Sequence, residues 1–278
     1  MFFSPTLLTL SAPHLHNDLR VICLSSGNSS GIGHIRRTEL VESCLRLGVG
    51  GCGGGAGAGA VYPPVAAAAA AGQKLGNVVV VEDAQLQDGM GVVWESAYIG
   101  ATVRTILRHW GSQEEEEGGE GEEVGEKVGG KEKKSGEWTP SIILTFDSHG
   151  VSSHSNHISA HHGAKHYIRS SSSPTTKLYT LTTTSLLRKY LSILDFPLSY
   201  LTHRRRGGRN GFLFVLGPEG FKKARGAMTD AHVSQMRWFR WGWIWWSRYM
   251  VMNDLVEEDV LQEGGGSGGG REGGEKEL

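Results

Sequence analysis

Short apolar runs that alternate with helical patterns set the strongest limit on how this chain can fold. The runs are rich in Val, Ile, Leu and Phe and lie at 19–27, 77–84, 140–150, 177–184 and 212–217, the last of which we predict to be the final strand. Helical patterns follow them, at 36–48, 95–110, 156–170, 185–194 and 218–236. This alternation predicts an α/β fold of Rossmann-like, three-layer type, in which a mostly parallel sheet carries helices on both faces.

Low-complexity segments interrupt this pattern. Gly and Ala dominate 49–74, whereas Glu, Gly and Lys dominate 112–137, and the tail 262–278 repeats the second composition. Such segments bury too little apolar surface to offset the entropy lost on ordering the chain. We therefore predict one domain, 1–261, with two disordered insertions and a disordered tail.

The overall composition narrows the class of protein. A formal net charge of −1 provides no field that attracts nucleic acid. The three cysteines, Cys23, Cys44 and Cys52, are sparse and lack metal-type spacing, which favours a reducing compartment over a disulfide-bonded secreted domain. The sequence has no run of 18 or more apolar residues that predicts a transmembrane helix. The apolar start 1–13 has no basic flank and contains two prolines, so it resembles the amphipathic interior of a domain rather than a signal peptide.

Histidines cluster after the strand at 140–150. Six of the twelve histidines lie between 149 and 166, and His154 and His157 are three residues apart at the entry to a helix. Ligands bind at the carboxyl ends of parallel strands, and 25–28, 87–90 and 147–157 all fall at such ends. Two imidazoles at this edge could bind zinc. The alternative is a solvated helix face, which is our interpretation for His161, His162 and His166.

Several ordered blocks together resemble the LmbE-like zinc deacetylases, in particular the eukaryotic branch that acts on N-acetylglucosaminyl-phosphatidylinositol. The blocks are LSSGNSSGIGHIRRTELVESCLRLGV (24–49), VVEDAQLQDGMGVVW (80–94), TFDSHGVSSHSNH (145–157), LLRKYLSILDFPLS (186–199) and AMTDAHVSQMRWFRW with SRYM (227–250). They cover nearly every segment that we predict to be ordered.

The resemblance implies a hydrolase that removes an acetyl group from N-acetylglucosaminyl-phosphatidylinositol in glycosylphosphatidylinositol anchor biosynthesis. It also implies a Zn²⁺ cofactor, a glycolipid substrate, a membrane surface as partner, and a place on the cytoplasmic face of the endoplasmic reticulum membrane. His157 would be a zinc ligand and His154 the acid that stabilises the oxyanion. Arg36 would contact the inositol-phosphate end of the substrate, and Asp88 would accept hydrogen bonds from sugar hydroxyls.

Simpler roles remain open for these residues and their neighbours. Arg36 could be an ordinary exposed arginine at a helix start, and Asp88 a turn residue before Gly89. Asp147 could orient an imidazole or cap its own loop. His232 could approach the site or pack within the last helix.

One departure from the family pattern bears directly on activity. The family carries a His-Pro-Asp-Asp-Glu motif at the end of its first strand, directly before a stretch resembling MFFSP. This sequence contains no such motif and begins with Met1 at that stretch. We therefore expect Met1 to be an internal methionine of a longer reading frame, and the first strand, two zinc ligands and the general base to be missing. His157 alone cannot hold a catalytic zinc, so we expect this chain to be inactive and poorly stable, and a non-catalytic lipid- or partner-binding relative is the alternative.

The aromatic segment 237–252 has two interpretations. Tryptophans mixed with arginines are typical of a membrane interface. The segment could equally form a helix packed in the core. Its length and charge exclude a membrane-spanning helix.

Overall fold

The computed structural model describes residues 2–50, 61–62, 76–118, 137–171, 175–206 and 210–260. The helices within these ranges are α1 (Ser4–Leu10), α2 (Gly33–Arg46), α3 (Ser96–Gly118), α4 (Gly150–Ser153), α5 (Ser155–Ser170), α6 (Leu186–Lys189), α7 (Phe196–Arg205), α8 (Pro218–Thr229) and α9 (Trp238–Trp246). The strands are β1 (Val21–Cys23), β2 (Val61–Tyr62), β3 (Val78–Val81), β4 (Ile142–Phe146), β5 (Lys177–Leu181), β6 (Gly211–Val215) and β7 (Met252–Glu258).

These strands form two sheets. One has the order β1-β3-β2 and is fully parallel, and the other has the order β4-β5-β7-β6. In the second sheet β4 and β5 are parallel, whereas β7 is antiparallel to both β5 and β6. Three of these five pairings are parallel. The α/β class with mostly parallel pairing is therefore confirmed, with the strands divided between two sheets.

Strand β3 shows why the chain adopts a layered arrangement. All four of its valines are buried. Val79 and Val81 face α3 and α5, whereas Val78 packs with Cys44 of α2. Alternate residues of a strand point to opposite faces, so helices cover both sides of this strand, as predicted.

One hydrophobic cluster contains residues of both sheets together with residues of α3 and α5. Ile99 and Ile106 of α3 and Tyr167 of α5 pack with both Val79 of the first sheet and Leu178 of the second. Gly163 permits the close approach of the two helices, because a Cβ at this position would lie 2.3 Å from Cγ2 of Ile99. This packing fixes the strand ends that carry the predicted site.

The prediction that 212–217 forms the last strand is wrong, because β7 follows it and lies between β5 and β6. The sequence MNDLVEE is too polar to show a strand pattern. Its polar side chains are instead matched by partners: Asn253 Oδ1 accepts from the Thr6 backbone N–H at 3.1 Å, and Asp254 lies 3.1 Å from His203 Nδ1.

The first helix and the insertions also differ in detail from the sequence prediction. Helix α1 packs against β6 and β7 and buries Ser4 and Thr6, which agrees with a segment from a domain interior. Helix α3 continues to Gly118, past the predicted start of the second insertion at 112, and Val49 is buried. Residues 51–60, 63–75, 119–136 and 261–278 lie outside the described residues, so the predicted disorder there stays a prediction.

Strand β4 is less buried than predicted. Ile142 is 46% exposed, and Ile143 and Leu144 are only half-buried. Within the described residues β4 is an edge strand of its sheet, with β5 on one side. A strand paired on a single edge keeps part of its apolar surface in contact with solvent.

Candidate active site

The structure brings together residues from three of the segments singled out in the sequence. Asp88 Oδ1 lies 3.9 Å from His154 Nε2, and the rings of His154 and His157 are 5.1 Å apart. Arg36 of α2 donates from Nη1 to the carbonyl of Gly27. Gly27 in turn lies beside Asp88, so Arg36 reaches the same place. All four predicted site residues therefore lie in one neighbourhood at the strand ends.

His157 is held as a neutral imidazole with one nitrogen available. Its Nδ1 lies 2.9 Å from the carbonyl oxygen of Gly150, and since a carbonyl only accepts, Nδ1 carries the hydrogen. The ring stacks on Phe146 with centroids 3.9 Å apart. Burial lowers the pKa of His157. A neutral ring with hydrogen on Nδ1 leaves a lone pair on Nε2, which is the form that binds a metal ion.

The short segment α4, directly before α5, is not a regular helix but a loop whose backbone angles position this imidazole. Gly150 has φ of 62°, and the non-glycine residues Val151 and Ser153 have φ of 61° and 56°. A Cβ on Gly150 would lie 3.0 Å from Cβ of His157. Positive φ at a β-branched residue is rare and concentrates at functional sites, so the loop is shaped to present His157.

Asp147 caps this loop, which was one of its two predicted roles. Its carboxylate accepts from Thr183 N and Thr183 Oγ1, each at 2.6 Å, and from the His149 backbone N–H at 3.1 Å. These bonds tie the loop to the end of β5 rather than to an imidazole.

His154 forms the N-cap of α5 and faces Asp88. Its Nδ1 accepts from the Asn156 backbone N–H at 3.3 Å, so the neutral ring carries its hydrogen on Nε2. This nitrogen points toward Asp88 across 3.9 Å, which is longer than a hydrogen bond. The Nε2–H group is therefore a donor held beside a carboxylate.

Gly27 separates Arg36 from Asp88. Its φ is +67°, and a Cβ there would lie 2.7 Å from Arg36 Nη1 and 3.6 Å from Asp88 Oδ2. Only glycine fits this position without displacing the guanidinium. The cation and the carboxylate thus lie on either side of one small residue.

Asn156 was missed by the sequence interpretation, although it fixes the Asp88 loop. Its Oδ1 accepts from the Gly89 backbone N–H at 3.1 Å, and its Nδ2 donates to the Val92 carbonyl at 3.1 Å. The side chain is buried. An asparagine between two candidate histidines, HSNH, is the signal that could have pointed to a bracing role, since buried amides bond to backbone.

A second group of polar residues lies behind Arg36. Glu39 accepts from Ser234 N at 2.6 Å and from Ser234 Oγ at 2.7 Å. His232 is buried, and burial lowers its pKa to about 4, so it fits the packed role rather than an approach to the site. Arg240 of α9 was also missed: burial and the charges of Arg36 and Arg237 lower its pKa, which places a second arginine within electrostatic reach of Arg36.

The interpretation of His161 as a solvated residue is wrong, whereas His162 is exposed as predicted. His161 is 2% exposed, and its Nε2 lies 2.8 Å from Glu258 of β7, which also accepts from Lys165. Its partner lies on the strand that the sequence did not reveal. His166 is half-buried.

The described residues do not make a complete metal site. Across these ranges, no group of three or more His, Cys, Asp or Glu side chains could hold a metal ion. A catalytic zinc takes three protein ligands and one open position. His157 offers one such nitrogen, so the described residues alone do not fit a catalytic zinc.

Comparison with known proteins adds evidence that is independent of this geometry. A protein from Arthroderma benhamiae, named N-acetylglucosaminyl-phosphatidylinositol de-N-acetylase, is 30% identical in an alignment that covers 93% of this chain and 83% of that protein. A protein of the same name from Bos taurus is 31% identical, with coverage of 92% and 77%. A Schizosaccharomyces pombe protein, named as a probable enzyme of this kind, is 29% identical, with coverage of 92% and 80%. No protein-family model and no solved structure matches the chain.

Proposed function

Because this chain belongs to the N-acetylglucosaminyl-phosphatidylinositol de-N-acetylase family, we propose that it serves the hydrolytic de-N-acetylation of that glycolipid in glycosylphosphatidylinositol anchor biosynthesis. The observation that carries this proposal is the meeting of Arg36, Asp88 and His154 at one strand-end site. These three side chains come from segments that are distant in the sequence, and together they suit a phosphorylated sugar.

Each of these groups has chemistry that matches one part of the substrate. The Arg36 guanidinium suits the phosphodiester, since arginine forms charge-assisted bonds with phosphate oxygens. The Asp88 carboxylate accepts hydrogen bonds from sugar hydroxyls. The His154 Nε2–H group can donate to the oxygen that becomes negative when water adds to the acetyl carbonyl.

The zinc implied by the family resemblance would find one ligand in His157, through Nε2. The described part of the chain offers no set of three such groups, and the sequence contains no His-Pro-Asp-Asp-Glu motif. We propose that the 278-residue chain by itself binds the glycolipid but does not hydrolyse it. The catalytic step would require a base and further ligands beyond the described residues.

We also propose the setting in which this chemistry takes place. A diacylglycerol-linked substrate keeps its acyl chains in a bilayer, so the site must work at a membrane surface. The family resemblance supports the cytoplasmic face of the endoplasmic reticulum membrane.

The incomplete metal site favours a second candidate function, a non-catalytic relative that binds lipid or a protein partner. The two candidates differ in the ligand that the site recognises. Only the first predicts that binding depends on the N-acetylglucosaminyl-inositol-phosphate headgroup.

Substrate binding tests the proposal without requiring turnover. Isothermal titration with a short-chain, water-soluble N-acetylglucosaminyl-phosphatidylinositol should show binding that Arg36→Gln and Asp88→Asn each weaken by about tenfold or more, the scale of a lost charge-assisted bond. Arg46→Gln, an exposed arginine on the same helix, is the matched control and should bind as the parent does. Binding that ignores Arg36 and Asp88 would contradict the proposed site, and zinc-dependent acetate release by the 278-residue chain would contradict its inactivity.

A further inference from the structure

Helix α9 turns large apolar side chains toward solvent. Trp238 is 86% exposed and Trp246 is 62% exposed, and Trp241 and Trp245 are exposed as well. Trp238, Trp241 and Trp245 are three and four residues apart and so lie on one helix face, and Trp246 directly follows Trp245 at its edge. The opposite face meets the core, where Ile244 is fully buried. Contiguous exposed apolar surface of this kind marks a site that another surface covers.

A second exposed apolar segment runs from Leu186 to Leu201. Leu187 and Leu194 are 74% and 73% exposed. The residues that this segment buries most deeply are polar, Asp195 and Ser199. An ordinary surface helix buries its apolar side and exposes its polar side. Here the pattern is inverted.

A buried ionic network holds these two segments together. Arg248, two residues after α9, donates from Nη2 to Ser199 Oγ at 2.8 Å, and its Nε lies 2.9 Å from Asp195. Arg188 donates to the same carboxylate at 2.7 Å. The network therefore fixes α9 and the segment 186–201 relative to each other. We call the outward tryptophans of α9 and the exposed leucines of 186–201 together the apolar face.

Positive charge borders the apolar face. The Arg225 guanidinium lies over the Trp245 ring at 4.5 Å, and Lys222 and Lys223 are exposed on the same helix, where Glu219 is the acidic residue. Arg237 is exposed at the start of α9. Tryptophan beside arginine and lysine is the composition of a surface at the boundary between lipid headgroups and acyl chains.

No described helix is both long enough and apolar enough to cross a bilayer. We propose that the apolar face docks this domain on the surface of an anionic phospholipid membrane, with the outward tryptophans of α9 at the level of the headgroups. The inference deepens the proposed function and rests on it for the lipid nature of the substrate.

The candidate active site lies close behind this face. The Phe2 ring contacts Trp243, on the inner side of α9, at 5.3 Å and His157 at 5.5 Å between centroids. One phenyl ring thus separates the docking helix from the site imidazole. A lipid-anchored sugar could reach this site while its acyl chains stay in the bilayer.

Vesicle binding tests the proposal. Large unilamellar vesicles of phosphatidylcholine with 30% phosphatidylserine, free of glycolipid substrate, should sediment the 278-residue chain. Trp238→Ser with Trp246→Ser, and separately Leu187→Ser with Leu194→Ser, should each lower the partition coefficient by about tenfold or more, because each pair removes apolar area from the contact. Leu45→Ser, an exposed leucine on α2, should leave it unchanged.

A second measurement locates the tryptophans directly. Vesicles containing phosphatidylcholine brominated on its acyl chains should quench the tryptophan fluorescence of the parent chain, and the Trp238/Trp246 variant should lose most of that quenching. Parent-like vesicle binding by both double variants, or absence of quenching, would overturn the proposal. Lipid-free dimers that the tryptophan substitutions dissociate would also overturn it, in favour of a second copy covering the face.

These outcomes are separable from failure of the proposed function. The short-chain glycolipid is water-soluble, so the Trp238/Trp246 substitutions should not change its binding. This holds whether or not the apolar face docks on a membrane. If the proposed function fails, vesicle binding persists while glycolipid binding does not depend on Arg36 or Asp88.

Discussion

The Asp88 carboxylate lies 3.9 Å from Nε2 of His154, although the two side chains reach this point from separate loops. Asp88 sits on an irregular loop after β3, and His154 caps helix α5. Neither position is set by regular secondary structure alone. The relationship depends on the buried Asn156, which bonds the loop at Gly89 and at Val92.

Asn156→Ala should therefore loosen the Asp88 loop and destabilise the domain. The substitution leaves a backbone N–H and a carbonyl without their partner, which costs about 1–3 kcal/mol in the free energy of unfolding. Urea unfolding measures this loss, and titration with the short-chain glycolipid measures the weaker binding. Asn156→Asp keeps the acceptor for Gly89 but buries a carboxylate whose second oxygen faces the Val92 carbonyl, so at pH 7 we expect it to be at least as unstable as Asn156→Ala. A parent-like unfolding midpoint for Asn156→Ala would show that the loop is held by other contacts.

Gly150→Ala should strain the backbone and should also displace the side chain of His157. A residue with a side chain at positive φ loses about 1–2 kcal/mol relative to glycine, and here the new methyl group also meets Cβ of His157 at 3.0 Å. Gly31 offers a matched control, because its φ is +74° and a Cβ there would contact nothing within 4 Å.

The comparison of Gly150→Ala with Gly31→Ala separates strain from displacement of the imidazole. Both variants should unfold at lower urea than the parent, and Gly150→Ala should lose the larger amount. Only Gly150→Ala should shift the His157 ring nitrogen resonances in ¹⁵N NMR spectra. Equal losses of stability with unchanged His157 resonances would rule out a positioning role for Gly150.

Stability should fall with acid through His232. Burial lowers its pKa from 6.5 to about 4, so the unfolded chain takes up a proton more readily than the folded one. The contribution of the neutral ring is complete above pH 6.5 and is lost as pH falls toward 4. The lost free energy of unfolding is on the order of 3 kcal/mol.

His232→Gln removes the titrating imidazole and so tests whether His232 causes this loss of stability in acid. The difference in free energy of unfolding between parent and variant should be constant near pH 7.5 and should change in favour of the variant between pH 6.5 and 4.5. Burial also lowers the pKa of His157, so part of the acid sensitivity should remain in the variant. An identical pH dependence in both proteins would refute the role of His232.

The sequence predicted those parts of the fold that depend on apolar periodicity. Strand β3 and helices α3 and α5 follow it, because Val79, Ile99 and Tyr167 bury side chains at the spacing of a strand or a helix. Strand β7 escaped prediction because Asn253, Asp254 and Glu258 break the pattern. Their partners lie far away in the chain, on α1, α7 and α5, and no local pattern reveals such pairs.

For the candidate site, the sequence singled out the residues that stand out by spacing or by resemblance. His154 and His157 stood out by spacing and by their place after a strand, and the resemblance added Arg36 and Asp88. Asn156 bonds to the Asp88 loop, and Arg240 lies within electrostatic reach of Arg36. The place of Asn156 between two histidines is only a weak signal and Arg240 has none, so neither role was predicted.

Zinc should not bind stoichiometrically to the 278-residue chain. A single imidazole nitrogen, Nε2 of His157, falls short of the three protein ligands that a catalytic zinc takes, and no described group completes the set. Metal analysis after dialysis against micromolar zinc should give well under one equivalent. One equivalent that disappears in His157→Ala would contradict this expectation and would assign the remaining ligands to residues outside those described.

The buried pair of Arg248 and Asp195 should be the ion pair whose loss costs most. Both side chains are almost fully buried, with Nε of Arg248 2.9 Å from Oδ2 of Asp195. Arg248→Met removes one of the two cations around this carboxylate, and Arg188 still pairs with it, so we expect a loss of about 1.5–3 kcal/mol, the scale of a hydrogen bond to a charged group. Arg206→Met is the matched control, because Arg206 is half exposed and its partner Asp254 keeps the contact with His203, so the loss should be smaller, about 1 kcal/mol.

The double variant Asp195→Leu with Arg248→Met measures how far the two side chains depend on each other. Each single substitution already breaks their contact, so the loss in the double variant should be smaller than the sum of the two single losses. Additive losses would mean that each side chain acts separately, through packing. Because this network joins α9 to the segment 186–201, Arg248→Met should also weaken vesicle binding, whereas Arg206→Met should leave vesicle binding at the level of the parent chain.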